Sequence, residues 1–439
     1  MSPRVAVVLF LFSLAACAPC PTPPPPGCTT DGTGTIIVNS TGLPTGVTGT
    51  ITLTGPTVQT VTATRTVSVG SGPWSVTAER ATGADPLVRT VYVPSVTPAS
   101  FCLTNGGTQV VTVDWAPVAT SNALWAINAN ASNQLVGFKS AHLRATATVP
   151  ADLAKQGGFG HDLAFDRDGN VWVGGATTTD KTLLRFPSTQ FLTGGRATPD
   201  IELSIDGTSC IPLVAGLAFD ANGNLYVSSP CRDAVLRFDA ASLTASATIS
   251  PSLTINVGDP QGVAFDRAGN LWVVSRMDSR VWRYDAAQLA AGSVTAPAFK
   301  LGARASSDPM NLSLLSPSWV AFDTRGDLWA NDFAGNVFYR VGASALRAID
   351  TGDVQPQVRI TIGVLALLEG FAFDGEGGLW SAGSMGKLIR LGPAQLDVSS
   401  GPGAPTMPEL VLTSGDLGSA GNVAFYPAPA GSPLFHALP

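Results

Sequence analysis

Charge is scarce in this 439-residue chain: Asp, Glu, Lys and Arg together make up 13%, about half of the usual ~25%. With a formal net charge of -6 and no long basic run, a nucleic-acid surface is excluded. Histidine is scarcer still, with only His142, His161 and His436. H-E-x-x-H, G-x-S-x-G and Walker loops are all missing, so a Ser-His-Asp triad has few bases to draw on. No apolar stretch in the body of the chain approaches the ~20 residues that span a bilayer. What remains is 45% hydrophobic residues with 47 glycines and 33 prolines. That mixture suits many short strands joined by tight turns, and points to an exported all-β protein.

The first residues read "MSPRVAVVLFLFSLAACAPC". One cation, Arg4, precedes an apolar run from Val5 to Ala16, too short to span and suited to a signal peptide. The run ends in Leu14-Ala15-Ala16-Cys17, which resembles the lipobox of bacterial lipoproteins. The resemblance implies acylation of Cys17, removal of residues 1–16, and anchoring by buried acyl chains at about 0.8 kcal/mol per methylene. Ala18 after that cysteine, rather than Asp, further implies delivery to an outer membrane or the cell surface. A secretory cut after Ala18 also fits the small residues Ala16 and Ala18. Cys17 and Cys20 have redox C-x-x-C spacing, but they lack the βαβ context that lowers a thiol pKa. Residues 17–29 include "PTPPPPG", a polyproline stalk extending about 3.1 Å per residue.

Residues 30–118 alternate in period two, as in "GTIIVNS", "GTITLTG" and "TQVVTVDW". Short strands at this spacing predict a small β-sandwich. The stretch around "GPWSVTAER" resembles the immunoglobulin-like or prealbumin-like modules of bacterial envelope proteins.

Residues 119–428 repeat. Phe165, Phe219, Phe265, Phe322, Phe373 and Phe425 recur at separations of 54, 46, 57, 51 and 52, in "LAFD", "LAFD", "VAFD", "VAFD", "FAFD" and "VAFY". Second strands ("NVWV", "NLYV", "NLWV", "DLWA", "GLWS") and third strands ("TLLRF", "AVLRF", "RVWRY", "NVFYR", "KLIRL") follow, then an outer segment. Four strands per unit of this length predict propeller blades. Leu124-Trp125 and "LVGF" lack an inner strand, whereas the final "NVAFYP" is one without followers. Joined, they predict a six-bladed β-propeller closed by its C-terminal strand, with residues 429–439 as a tail. The region resembles the NHL and SMP-30/gluconolactonase-like propellers.

The repeated Asp-x-x-Gly-Asn, best seen as "DRDGN" at 166–170, invites a calcium reading. An EF-hand loop needs Gly at its sixth and Glu at its twelfth position. Here Gly169 is fourth and Thr177 twelfth, and Asp168 is replaced in the other copies by Asn222, Ala268, Arg325 and Glu376. A hairpin bend explains the motif: the first Asp accepts backbone N–H bonds and Gly supplies φ > 0. The recurring Trp125, Trp172, Trp272, Trp329 and Trp380, with Tyr226, are read as packing between sheets rather than a sugar platform.

Cys210 and Cys231 flank the hairpin that pairs Phe219 with Leu225, near its open end and within bridging reach. Cys28 and Cys102 bracket the sandwich and are expected to tie its start to its penultimate strand, leaving Cys20 unpaired. Two bridges imply an oxidising compartment.

The residues that open each inner strand crowd the channel mouth. Four positions before each Phe stand His161, Ala215, Gln261, Ser318, Glu369 and Gly421; three before stand Asp162, Gly216, Gly262, Trp319, Gly370 and Asn422. The gluconolactonase-like family places metal ligands here as Glu-Gly, Asn-Gly and Asp-Gly pairs. The resemblance makes Glu369, Gln261 and Asp162 the candidate ligands of a divalent cation. Glu369, His161 and Asp162 become the candidate catalytic residues. Gln is an uncommon ligand at such sites, the third pair is missing, and virginiamycin-lyase-like propellers use paired His and Glu where only His161 is available. The favoured expectation is a lipid-anchored envelope propeller that binds or scaffolds a cell-envelope polymer or protein. A metal-dependent lactonase-like hydrolase or lyase at the channel mouth, and a structural surface-layer component, are the alternatives.

Overall fold

The computed structural model describes residues 28–128, 134–175, 182–206, 214–294, 296–302, 316–347, 356–363, 368–383, 386–401, 403–418 and 420–428. Cys17, Cys20, Cys210 and His436 lie outside those residues, and with them the expected acylation site and the expected Cys210–Cys231 bridge. Among the described residues no helix is long and apolar enough to cross a membrane. The chain divides into two compact units, Met1–Ala81 with Tyr92–Ala116, and Thr82–Val91 with Pro117–Pro439.

The first unit has a five-stranded and a four-stranded sheet. Its strands alternate as their sequence does: Ile36 and Val38 point inward from Thr33–Thr41, and Val111, Val113 and Trp115 from Thr108–Pro117. They meet Ile51, Leu53, Trp74 and Val76 of the other sheet in one core. Cys28 is bridged to Cys102 in the strand Ser100–Leu103, with Cα atoms 5.7 Å apart.

The second unit is a β-propeller. Among its described residues there are six sheets of four or five strands. Each inner strand lies beside the next in chain order: Phe159–Phe165, Gly216–Phe219, Pro260–Phe265, Pro317–Phe322, Phe371–Phe373 and Ala420–Phe425. The last of these lies against the first, so the ring closes. Ala420–Phe425 is hydrogen-bonded to Ala123–Asn128, pairing Phe425 with Leu124, 301 residues earlier in the chain. The closing sheet is therefore built from the first and last strands of the ring, and Ala123–Asn128 is paired on its inner side.

Aromatic stacking holds neighbouring sheets together. The second-strand aromatic of one sheet meets the inner Phe of the next: Trp172 with Phe219 (6.1 Å between centroids), Tyr226 with Phe265 (5.0 Å), Trp272 with Phe322 (5.8 Å) and Trp329 with Phe373 (6.0 Å). Such edge-on pairs add about 0.5–1.5 kcal/mol each beyond their buried area.

Thr82–Val91 falls inside the period-two stretch expected to be sandwich, yet it groups with the propeller. The physical reason is its apolar pair: Leu87 and Val88 are buried in the cluster of Leu124, Phe138, Trp380 and Phe425, between the fifth and sixth sheets. Asp85 accepts bonds from Ser140 Oγ (2.5 Å), Arg144 Nη2 (2.7 Å) and its own neighbour Leu87 N (3.0 Å). Gly375 N donates to Leu87 O at 3.2 Å. A Cβ on Gly375 would lie 1.9 Å from Pro86 O, so only glycine admits this strap.

Candidate binding site at the channel mouth

The Asp-x-x-Gly-Asn bends come first, because they decide which carboxylates are available. Asp266 Oδ1 accepts from Ala268 N (2.9 Å) and Asn270 N (3.0 Å), and its Oδ2 from Asn270 Nδ2 (2.9 Å) and Trp272 Nε1 (2.9 Å). Asp166 repeats all four bonds. In the fifth sheet Arg390 Nε (2.7 Å) replaces the Asn amide on Asp374. The turn glycines Gly169, Gly223, Gly269, Gly326 and Gly377 all have φ between 78° and 84°. Each carboxylate is filled by the donors of its own bend, so the repeat is scaffold. The third-strand arginine completes the unit: Arg185, Arg283 and Arg340 lie 6.0, 5.7 and 6.0 Å over the faces of Trp172, Trp272 and Trp329.

The sixth sheet has no such bend, because Tyr426 follows its Phe. Instead Trp125 Nε1 donates to Thr120 O (2.8 Å), Thr120 Oγ1 to Gly169 O (2.7 Å) and Tyr426 Oη to Arg167 O (2.6 Å). Both chain ends are thus stapled to the first sheet's bend.

The channel inside the ring is apolar. Ala164, Ala218, Ala264, Ala321, Ala372 and Ala424, one from each inner strand, line a cavity of about 140 Å³. At the mouth, where the inner strands begin, glycine serves close approach. A Cβ on Gly216 would lie 2.6 Å from Gln261 O, one on Gly262 2.9 Å from Ser318 O, and one on Gly370 1.9 Å from Asn422 Oδ1. The remaining three positions of that ring are Asp162, Trp319 and Asn422.

Asp162 sits at the seam and is wholly buried. Its Oδ1 accepts from Leu163 N (2.7 Å) and from the amide of Asn422, and its Oδ2 from Leu217 N (2.5 Å). One carboxylate therefore joins the first, second and sixth sheets. Burial pushes this carboxyl up to about 8, with the three donors pulling the other way.

Glu369 is partly exposed at the same mouth. Burial pushes it up to about 7, and the positive charge of Arg276 draws it back. Gln261 Nε2 is spent on Asp259 Oδ1 at 2.6 Å. Next to them Ser318 Oγ and Trp319 N both donate to Asn331 Oδ1, at 3.0 and 2.7 Å, while Asn331 Nδ2 holds Leu368 O (3.0 Å) and Glu369 O (2.8 Å). The backbone of Glu369 is thereby fixed to the fourth sheet.

The candidate set thus divides. Glu369 is left partly exposed, Asp162 is absorbed into the seam and Gln261 into its own loop. The backbone of His161 lies in Phe159–Phe165, and its side chain is outside the described residues. A divalent cation would have to displace the N–H donors on Asp162, and among the described residues no three His, Cys, Asp or Glu side chains gather to hold one. Sequence reasoning missed Arg276 and Asn331, which sit on second strands or their exits rather than on the inner strands where mouth residues were sought.

No family model matches the chain, and no curated protein matches it. Among solved structures it is similar to a streptogramin B lyase (13% identity, TM-score 0.37, 53% of this chain and 65% of that one). It is also similar to virginiamycin B lyase from Staphylococcus aureus (13% identity, TM-score 0.35, 53% and 66%). A protein of unknown function from Bacteroides caccae aligns at 11% identity and TM-score 0.46, over 69% of this chain and 98% of that one. The chain spans just under two thirds of the length of the two lyases.

Proposed function

We propose that the chain is an exported envelope protein, acylated at Cys17, whose six-bladed propeller binds or scaffolds an envelope component and is not a catalyst. One observation carries the choice of role. Asp162, the acid that a metal-dependent mechanism would need beside Glu369, is engaged by three N–H donors that hold the seam together. A group that fastens the ring is poorly placed to coordinate a cation or move a proton. The Cys28–Cys102 bridge supports an oxidising compartment, and the lipobox-like start supports the anchor. A hydrolase or lyase remains the second reading because Glu369, at about 7, is matched to general acid–base work near neutral pH.

The test has two arms on the full chain. Acyl labelling and membrane fractionation should follow Cys17 and be lost in Cys17→Ser; a membrane-bound, labelled serine variant would sink the anchor. Elemental analysis after dialysis should find no stoichiometric divalent metal. Retained metal that disappears in Glu369→Ala, with hydrolytic or lyase turnover lost alongside it, would replace the binding role with the catalytic one.

A further inference from the structure

Each inner strand carries the same triplet, an apolar residue, then Ala, then Phe, from Leu163-Ala164-Phe165 in the first sheet to Val423-Ala424-Phe425 in the last. The Phe side chain turns into the joint with the preceding sheet and meets that sheet's second-strand aromatic, as Phe219 meets Trp172. Ala is small, and one copy from each of the six strands leaves the centre open as the cavity of about 140 Å³. Trp319 and Asn422 stand at its mouth end, and Ala428, beyond the last strand, lines it as well.

Among the described residues no charged side chain lines this cavity. Asn422 is already spent, its amide on Asp162 and its Oδ1 on Val423 N at 2.7 Å. The strand edges supply the remaining polar groups. Asp166 N donates to Asn170 O, and Ala164 opposes Trp172 in the same ladder. Alternation along that ladder turns the N–H and C=O of Leu163 and Phe165 towards the channel. Near the mouth such donors are also engaged, Leu163 N at 2.7 Å and Leu217 N at 2.5 Å, both on Asp162. Deeper in, the edges offer hydrogen bonds to a neutral polar atom but no countercharge. An ion there would lose its hydration without meeting an opposite charge, which is unfavourable, whereas an apolar group gains by leaving water.

We propose that the central channel binds one small uncharged molecule with an apolar body, the size of a benzene ring, enclosed by the six alanines. Volume sets this class. An engineered protein cavity of about 150 Å³ with apolar walls takes up benzene or xenon, and the space here, about 140 Å³, is close to it. The site lies inside the ring, so it is additional to the envelope-binding role proposed above and does not depend on it.

The experiment titrates the full chain at neutral pH with benzene and phenol, and with benzoate and benzylammonium as charged controls, all read by calorimetry. The two neutral molecules should bind saturably at one site, and the charged ones at least about tenfold more weakly. Ala218→Val and Ala264→Val, which add bulk beside the cavity, should each weaken benzene by about tenfold or more, with the melting temperature showing that the ring still forms. A crystal of the unaltered protein under xenon pressure reads the site without any variant, and the gas should occupy the space between the six alanines. No saturable binding of either neutral molecule, charged controls that bind as well, xenon absent from the ring, or full benzene affinity in both folded variants would overturn the proposal. If an envelope polymer cosediments with the protein while none of these probes binds, this inference fails and the binding role stands.

Discussion

Replacing Asp266 with alanine isolates the repeated bend. The carboxylate accepts four bonds of 2.9–3.0 Å, two from backbone N–H groups and two from side chains. Of the backbone donors, Ala268 N is exposed and Asn270 N half-buried, so water replaces most of what they lose when the acid is removed. Trp272 is only 1% exposed, and its indole N–H would be stranded at about 1–3 kcal/mol. Together with the lost charge-assisted bond to Asn270, the expected destabilisation is about 3 kcal/mol. Asp266→Asn should be no better, because its amide would point at the Asn270 amide and the indole, donor against donor. Asp220→Ala should lose less, since Asp220 accepts only from Asn222 N, Asn224 N and Asn224 Nδ2, with Tyr226 in place of tryptophan. Urea unfolding followed by tryptophan fluorescence, with calcium or with EDTA, reads all three. A loss below about 1 kcal/mol in Asp266→Ala, or calcium-dependent stabilisation that the variant lacks, would refute the scaffold reasoning.

Leu87, the 3% exposed anchor of the strap, should cost about 2–5 kcal/mol as Leu87→Ala, read as a lower urea midpoint for the propeller transition; an unchanged midpoint would mean the strap does not hold the sheets. Cys28→Ser opens a bridge across 74 residues, and the chain-entropy account expects a loss of about 4 kcal/mol in the sandwich transition under oxidising conditions; equal stability with and without reductant would contradict it. Burial raises the Asp162 carboxyl from its ordinary value of 3.8 to about 8 in the folded chain. A raised pKa means its contribution is full below about 3.8 and lost as pH rises through about 8. The stability difference between wild type and Asp162→Ala should therefore shrink from pH 4 to pH 9, by at most about 1.4 kcal/mol per pH unit; a difference that widens would reverse the assignment.

The ring was legible because its grammar is periodic. Inner Phe, second-strand aromatic and bend Asp recur at fixed offsets through the first five sheets, with Tyr226 for tryptophan in the second, so one copy explains most of the others. The register of Phe219 with Leu225 followed from that grammar and is the one observed. What escaped is what the repeat does not encode. Leu87 and Val88 look like any strand pair, and only the gap beside Gly375 makes them a strap. Asp162 read as a ligand because of its place at the mouth. Its partner Asn422 comes from the far end of the chain, 260 residues on, and no local pattern announces that bond. Arg276 sits in a second-strand exit that varies from sheet to sheet, so no periodicity marks it.

Closure by the C-terminal strand is where the whole account converges. The direct measurement compares the full chain with one truncated after Gly418, by size-exclusion chromatography with light scattering and by thermal melting. Loss of Ala420–Phe425 strips Leu124, Trp125 and Ala126 of their strand partner and removes Asn422 from Asp162. The truncated protein should lose its cooperative melt or self-associate through the opened edge. A monomer that melts as sharply and as high as the full chain would show that the ring does not depend on its last strand.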